Sequence, residues 1–129
     1  MKNFQWLVLA AVGFFLAGAS GEEDPAPTSM EGLLTVTEAY EQAQVNMGEV
    51  YRKLMTALTP VGKERLKKAQ TAWLQYRESQ SGFMCFHLAG GPYERMEYYA
   101  QLRKETDRRA IDLKKTYDWV CQRSISEQQ

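Results

Sequence analysis

The sequence predicts an all-α protein, an antiparallel bundle of three main helices in up-down-up order. Three stretches of the chain carry apolar residues at spacings of three and four, which places those residues on one side of a helix. No segment alternates apolar and polar residues with the period of two that is typical of strands. Short connections separate the three stretches, and short connections favour antiparallel neighbours.

The first helix is predicted over residues 36–58. Thr35 and Glu38 have the spacing of a capping box, in which a hydroxyl and a carboxylate accept hydrogen bonds from free amides of the first turn. The predicted buried stripe of this helix consists of Val36, Tyr40, Ala43, Met47, Val50, Leu54 and Leu58.

The second helix is predicted to begin at Pro60 and to end a little beyond residue 80. Thr59 suits the N-cap position, and Pro60 suits the first helical position. Ser81 and Gly82 disfavour helix, as do residues 89–92, so we expect the helix to end between these two breakers. Its predicted buried stripe consists of Leu66, Ala69, Trp73, Tyr76, Gln80 and Phe83.

The third helix is predicted to begin near Pro92, again a favourable first helical position. Its predicted buried stripe consists of Met96, Tyr99, Leu102, Thr106, Ala110, Leu113, Tyr117 and Val120. Three amphipathic helices of this length can close one core.

The connection between helices two and three is a Gly-rich loop with more apolar residues than a solvated loop requires. Two interpretations remain open for it. Part of the loop can fold onto the end of the bundle, and an exposed remainder can form a recognition patch. The candidate partner-binding residues of this loop are Phe83, Met84, Phe86, His87, Leu88 and Tyr93.

The N-terminus has the pattern of a secretory signal peptide over residues 1–19. Lys2 supplies a positive charge, residues 4–16 are almost wholly apolar, and residues 17–19 form a small-residue cleavage site. The apolar run is shorter than the roughly 20 residues that span a bilayer. We therefore expect a periplasmic or secreted protein without a membrane attachment after cleavage; an uncleaved anchor is the alternative.

The residues after the signal divide into a tether and a domain. Residues 20–34 are predicted to form a flexible tether because their first part is acidic, contains prolines and lacks apolar periodicity. Residues 35–129 form the predicted helical domain. Removing Lys2 from the 16 basic residues leaves 15 against 16 acidic residues, a net charge of −1. This balance argues against nucleic acid as a partner.

The sequence offers no arrangement of catalytic or metal-binding residues. His87 is the only histidine, and no serine, cysteine or carboxylate stands at a spacing that would make a triad or a metal site with it. Asp107 and Asp112 are five positions apart on a helix and do not face each other. We therefore predict a protein that is not an enzyme and uses no cofactor.

Residues 69–78, AQTAWLQYRE, resemble the signature AQ-x-A-W-x-x-[YF]-R-[DE] of the lysozyme-inhibitor LprI-like N-terminal domain family. Residues 47–54 are similar to the family's L-N-x-x-Y-x-x-L motif, with Gly48 at the usual asparagine. Gly90 and Gly91 match its glycine pair, and Thr106, Arg109 and Leu113 match its T-x-x-R-x-x-x-L motif. Ser81 stands where the family commonly has a cysteine.

The resemblance implies a small exported bacterial helical protein. It assigns a mainly structural role to the signature residues, which are Gln70, Trp73, Tyr76, Arg77, Glu78, Thr106 and Arg109. On this interpretation Trp73 and Tyr76 pack in the core and Arg77 pairs with an acid of a neighbouring helix; the alternative is that Arg77 and Glu78 face a partner.

The resemblance also implies a protein partner, such as lysozyme or a similar envelope-directed enzyme. Inhibition would occur through a loop or helix end that occludes the enzyme's cleft. The alternative function is that of an envelope structural or interaction protein that self-associates through Tyr98, Trp119 and the Gly-rich loop.

The two cysteines, Cys85 and Cys121, are a tentative disulfide pair. Export to an oxidising compartment makes a bond the default for two cysteines. A straight hairpin of helices two and three would separate them by about 39 Å at 1.5 Å per residue, too far for a bond. We therefore expect residues 82–91 to run back along the bundle to Cys121 in an oxidised monomer; a bond between chains and free thiols are the alternatives.

Overall fold

The computed structural model describes residues 29–88 and 90–126, which form three helices. These are α1 (Ser29–Ala57), α2 (Pro60–Cys85) and α3 (Pro92–Ser126). The predicted all-α bundle in up-down-up order is confirmed: α1 and α3 run parallel to each other, and α2 runs antiparallel to both. Within the described part of the chain, no helix is long and apolar enough to cross a membrane. The predicted signal peptide lies outside the described residues.

The core lies mainly between α1 and α3. Near its N-terminal end the rings of Tyr40 and Tyr99 are 5.8 Å apart. Further along, Met47 and Leu54 of α1 pack with Leu113 of α3. The stripes predicted for the first and third helices are confirmed, since every one of their residues is buried or half-buried.

The start of α1 differs from the sequence prediction. The helix begins at Ser29 rather than after Thr35, so residues 29–34 of the predicted tether are helical. The capping-box prediction was wrong, because the Thr35 hydroxyl donates to the Glu31 carbonyl one turn earlier, at 2.9 Å, within the helix. Gly32 lies against the side chain of Met96, which ties this first part of α1 to α3.

The face that α2 buries also differs from the prediction. Ala69, Tyr76 and Phe83 were predicted to be buried but are exposed. Arg77, Ser81 and Cys85 are buried instead. The buried stripe is therefore rotated by about one position along this helix. The prediction failed because it followed apolar character, and α2 places mainly polar residues against its neighbours.

The ends of α2 are defined by local chemistry. The Thr59 hydroxyl accepts a hydrogen bond from the Gly62 amide at 3.2 Å, which confirms the predicted N-cap, and Pro60 follows as the first helical residue. At the other end, Gly90 and Gly91 have φ values of 83° and 98°. Glycine reaches such values without steric cost, so this pair reverses the chain before α3 begins.

The predicted disulfide was wrong, because Cys85 and Cys121 are both free. The helix α2 continues through Cys85, so the following loop does not run back along the bundle. Cys85 lies beside the first turns of α3, near Glu94 and Glu97. Cys121 lies about 26 residues further along α3 than the residues beside Cys85. At the rise of an α-helix this is a distance of roughly 39 Å.

Candidate functional site

The signature residues meet at the seam between the three helices, with Arg77 of α2 at the centre. This side chain is only 5% exposed. Its Nη1 donates to the Thr106 hydroxyl of α3 at 3.2 Å, and its Nη2 donates to Glu78 at 2.8 Å. The guanidinium also lies over the ring of Tyr40 from α1, 5.4 Å from the centroid. Arg77 thus connects all three helices.

Trp73 lies between two arginines. The guanidinium carbons of Arg77 and Arg109 are 5.2 and 5.6 Å from the centroid of its ring. The Nε of Arg109 donates to Gln70 at 3.0 Å, and the Gln70 amide in turn donates to the sulfur of Met47 at 3.6 Å. Burial lowers the pKa of Arg109, and the nearby Asp112 partly offsets that effect.

Glu78 is held by two donors although it is half-exposed. Arg77 donates to one carboxylate oxygen, and the Tyr98 hydroxyl of α3 donates to the other at 2.5 Å. Burial raises the pKa of Glu78, but these two hydrogen bonds outweigh burial and the pKa lies below its ordinary value. The same bond is the main reason that the pKa of Tyr98 is raised to about 12.

These contacts indicate that the signature holds the bundle together. Arg77 pairs with Glu78 of its own helix and not with an acid of a neighbouring helix, as the sequence had suggested. Tyr76 is 51% exposed and is not part of this cluster. Sequence reasoning missed the roles of Tyr40 and Tyr98, since no motif links them to Arg77; the position of Tyr40 on the α1 stripe was the only available signal.

A second group of candidate residues lies at the turn between α2 and α3, which we call the hairpin tip (residues 83–88 and 90–93). Phe86 and Tyr93 are 73% and 72% exposed, and Phe83, Met84 and His87 are also exposed. Leu88 is half-buried. The structure therefore places most of the apolar loop residues on the surface of the bundle's end.

The hairpin tip is ordered by its own contacts. The rings of Phe83 and Phe86 are stacked, with centroids 5.6 Å apart. The ring of His87 meets Phe86 edge-on at 5.8 Å. The amide of Leu88 donates to the carbonyl of the buried Cys85 at 3.0 Å, which anchors the turn to the end of α2. The tip thus presents a preformed aromatic surface.

Two open clefts flank these groups. One, of about 450 Å³, lies on the outer side of α2 and α3 and includes Trp73, Tyr76 and Arg109. The other, of about 410 Å³, lies beneath the hairpin tip and includes Cys85, Glu94 and Tyr98. Burial, followed by Glu97 and Glu94, raises the pKa of the Cys85 thiol, which disfavours a reactive thiolate there.

No cluster of three or more metal-ligating side chains occurs in residues 29–88 and 90–126. His87 lies at the hairpin tip, and Asp107 and Asp112 each interact with a different arginine. Asp107 forms an ion pair with Arg103, with 3.5 Å between nitrogen and oxygen, and Asp112 interacts electrostatically with Arg109. What the described arrangement offers chemically is a stiff scaffold with an exposed aromatic end.

Comparison with known proteins connects this arrangement to a family. The family profile described as "Lysozyme inhibitor LprI" matches residues 20–113, which include the whole signature cluster and the hairpin tip. An uncharacterized protein of Rhizobium meliloti (strain 1021) is 28% identical, and the alignment covers 69% of this chain and 73% of that protein. No solved structure matches the chain significantly. The family resemblance of the signature is thereby confirmed, and the chain belongs to the lysozyme inhibitor LprI family.

Proposed function

We propose that the chain is an exported helical binding protein that inhibits lysozyme or a similar envelope-directed enzyme and catalyses no reaction itself. The observation that carries this proposal is the family match over residues 20–113. The match covers the signature cluster around Arg77 and the exposed hairpin tip together, so both the scaffold and the surface belong to the shared unit.

The shape of the described bundle supports inhibition by occlusion. An inhibitor of a glycosidase must place a solid surface where the saccharide would bind. The hairpin tip joins the end of α2 to the start of α3, and its exposed aromatic rings supply apolar contact area at a low cost in conformational entropy. The signature cluster around Arg77 fixes the relative positions of the helices that carry the tip.

The inhibition is tested by adding the purified chain to a lysozyme and following the clearing of a bacterial cell-wall suspension. We expect the rate of clearing to fall with increasing chain concentration and to saturate at one inhibitor per enzyme. The control is an equal concentration of an unrelated small helical protein, which reports non-specific effects on the suspension. An unchanged rate with lysozymes of several structural types would contradict the proposal.

Export is proposed on the basis of the N-terminal pattern, and cleavage after Ala19 would leave Ser20 as the first residue. The prediction is checked by N-terminal sequencing of the chain recovered from the periplasm or medium of a producing bacterium. Material that still begins at Met1 would show that the segment is retained as an anchor.

Self-association is a second candidate function, favoured by the opposite end of the bundle. Trp119 is 54% exposed there, with the Arg123 guanidinium 4.8 Å from its ring centroid. An open cleft of about 250 Å³ beside it includes Leu58 and Val120. Sizing in solution over a range of concentrations tests this candidate: a dimer that Trp119→Ala dissociates would support it.

A further inference from the structure

We propose that His87 is the residue of the hairpin tip that enters the lysozyme cleft, where its imidazole donates a hydrogen bond to a catalytic carboxyl group and Phe86 packs against the cleft wall. This inference rests on the proposed inhibition of lysozyme. It names the contact surface and the chemistry of the contact, neither of which follows from family membership.

The position of His87 suits it for insertion. It is exposed, and the residues on either side of it in the turn are fixed. Before it, Phe86 is stacked on Phe83 and its amide donates to the Phe83 carbonyl at 3.3 Å. After it, Leu88 is half-buried and bonded to the carbonyl of Cys85. The imidazole is thus presented by a turn that is anchored on both sides.

The Phe86 ring also restrains the imidazole itself. The two rings meet at 79° with centroids 5.8 Å apart, so the edge of one ring faces the other. A side chain that is already oriented loses little conformational entropy on binding. The tip therefore meets the conditions of a binding hot spot, in which a central polar group is surrounded by apolar side chains that exclude water.

The catalytic carboxyl groups of a lysozyme cleft are suitable hydrogen-bond partners for the imidazole of His87. Such an enzyme holds one protonated carboxyl group and one ionised carboxylate across the bond that it cleaves. An imidazole can donate from a ring nitrogen to a carboxylate, and its protonated form donates from both nitrogens. Of the exposed tip side chains at 83, 84, 86, 87 and 93, only His87 and Tyr93 have a hydrogen-bond donor of this kind, and the His87 ring is the one that lies against Phe86.

The exposure of the tip favours this surface over the clefts of the bundle. A saccharide-binding cleft is concave and needs a partner surface that can enter it. The cleft beside Trp73 is itself concave, and its lining carries both signs of charge, with Arg108, Arg109 and Lys115 beside Glu105 and Asp112. Phe86 and His87, in contrast, are exposed in the turn that follows α2.

The test compares the inhibition constants of four variants of the full chain against lysozyme. His87→Ala removes the donor, and His87→Gln retains a side-chain N–H. Phe86→Ala removes the apolar neighbour, and Val61→Ala is the control, an exposed apolar residue near the start of α2, at the opposite end of that helix from the tip. Thermal melting of each variant verifies that it is folded.

We expect His87→Ala to weaken inhibition about 30-fold or more, as for a hot-spot residue, and Phe86→Ala to weaken it by a similar factor. The glutamine variant should recover part of the loss, and Val61→Ala should inhibit like the wild type. An oligomer of N-acetylglucosamine, which fills the cleft, should compete with wild-type binding measured by calorimetry.

Several results would overturn the proposal. A folded His87→Ala variant that inhibits within two-fold of the wild type, or a saccharide that does not compete, would remove His87 from the cleft and leave inhibition itself intact. A glutamine variant as weak as the alanine variant would contradict hydrogen-bond donation. A wild-type chain that binds no lysozyme would overturn the proposed function together with this inference. If His87→Ala instead dissociates a dimer of free chains, a second copy occupies the tip.

Discussion

Arg77 organises the interior of the bundle, although arginine is among the residue types least often buried. Its Nη1 donates to the Thr106 hydroxyl, its Nη2 donates to the Glu78 carboxylate, and the group lies over the ring of Tyr40, which offsets much of the cost of burial. The buried Nε has no hydrogen-bond partner among the described residues. Glu78 is half-exposed, so the ion pair itself is screened by water and contributes little. The main contribution of Arg77 therefore comes from packing and from its hydrogen bond to Thr106.

Replacing Arg77 tests this assignment. Arg77→Ala would remove two ring contacts and one buried hydrogen bond and leave a cavity, so we expect a loss of about 3 kcal/mol in the free energy of unfolding. Arg77→Met keeps much of the side-chain volume and should recover part of the lost free energy of unfolding. Urea denaturation measures both stabilities, with Arg103→Ala as the control at about 0.5 kcal/mol or less, because Arg103 and its partner Asp107 are both exposed to solvent. Equal midpoints for Arg77→Ala and the wild type would contradict a structural role.

The Tyr98–Glu78 hydrogen bond makes stability depend on pH at both extremes. The pKa of Tyr98 is raised to about 12 from 10.0, so its contribution is present below pH 10 and is lost as the pH rises through about 12. The pKa of Glu78 is lowered from 4.5, so its contribution is present above that value and is lost on further acidification.

The measurement is the melting temperature of the wild type and of Tyr98→Phe as a function of pH. The phenylalanine variant lacks the titrating hydroxyl, so the difference between the two proteins should be largest near neutral pH. It should shrink between pH 10 and 12 and again below pH 4.5. A difference that stays constant over the whole range would show that the hydrogen bond is not formed in solution.

The three helices differ in how much of their packing could be predicted from sequence. The first and third bury apolar stripes, so periodicity identified residues such as Leu54 and Leu113 correctly. The second buries Arg77 and Ser81, whose burial depends on partners from other helices that periodicity cannot reveal. For the same reason the sequence located the signature cluster but not Tyr40 and Tyr98 within it. The early start of α1 was missed because Gly32 contacts α3, a tertiary contact.

Two glycines of the α2–α3 hairpin are expected to respond to substitution in opposite ways. Gly82 is helical, and a Cβ there would meet nothing within 4 Å, so Gly82→Ala should stabilise the protein by about 1 kcal/mol through helix propensity. Gly91 has a φ of 98°, so Gly91→Ala should destabilise it by about 1–2 kcal/mol. Thermal or urea unfolding of the two variants measures both effects. Unfolding midpoints that shift in the same direction for both variants would contradict the hairpin geometry.

At the scale of the whole molecule, the bundle holds its cysteines apart. Both thiols are free, and the antiparallel arrangement of α2 and α3 places them near opposite ends. The fold is therefore held by packing without a cross-link. Cys85 is 1% exposed, whereas Cys121 is half-buried, so the two thiols differ in access to reagents.

We accordingly expect a reducing agent to leave the melting temperature unchanged. Thiol titration without denaturant should detect one fast group, Cys121, and one slow group, Cys85, whose raised pKa also lowers its thiolate fraction. Cys121→Ser should remove the fast phase and serves as the assignment control. A mass two hydrogens lower than the reduced chain, together with a reductant-sensitive melting temperature, would show an internal bond instead.

The parallel pairing of α1 and α3 has a consequence for the order of assembly. The rings of Tyr40 and Tyr99 touch across a long stretch of intervening chain that contains the whole of α2. The α2–α3 hairpin requires only a short loop to close, whereas the docking of α1 must close a loop several times longer. During synthesis α1 emerges first yet can bury its apolar stripe only after α3 has followed. The growing chain thus carries an unpaired Met47 and Leu54 for most of its elongation, which makes α1 the segment that a holding chaperone would bind.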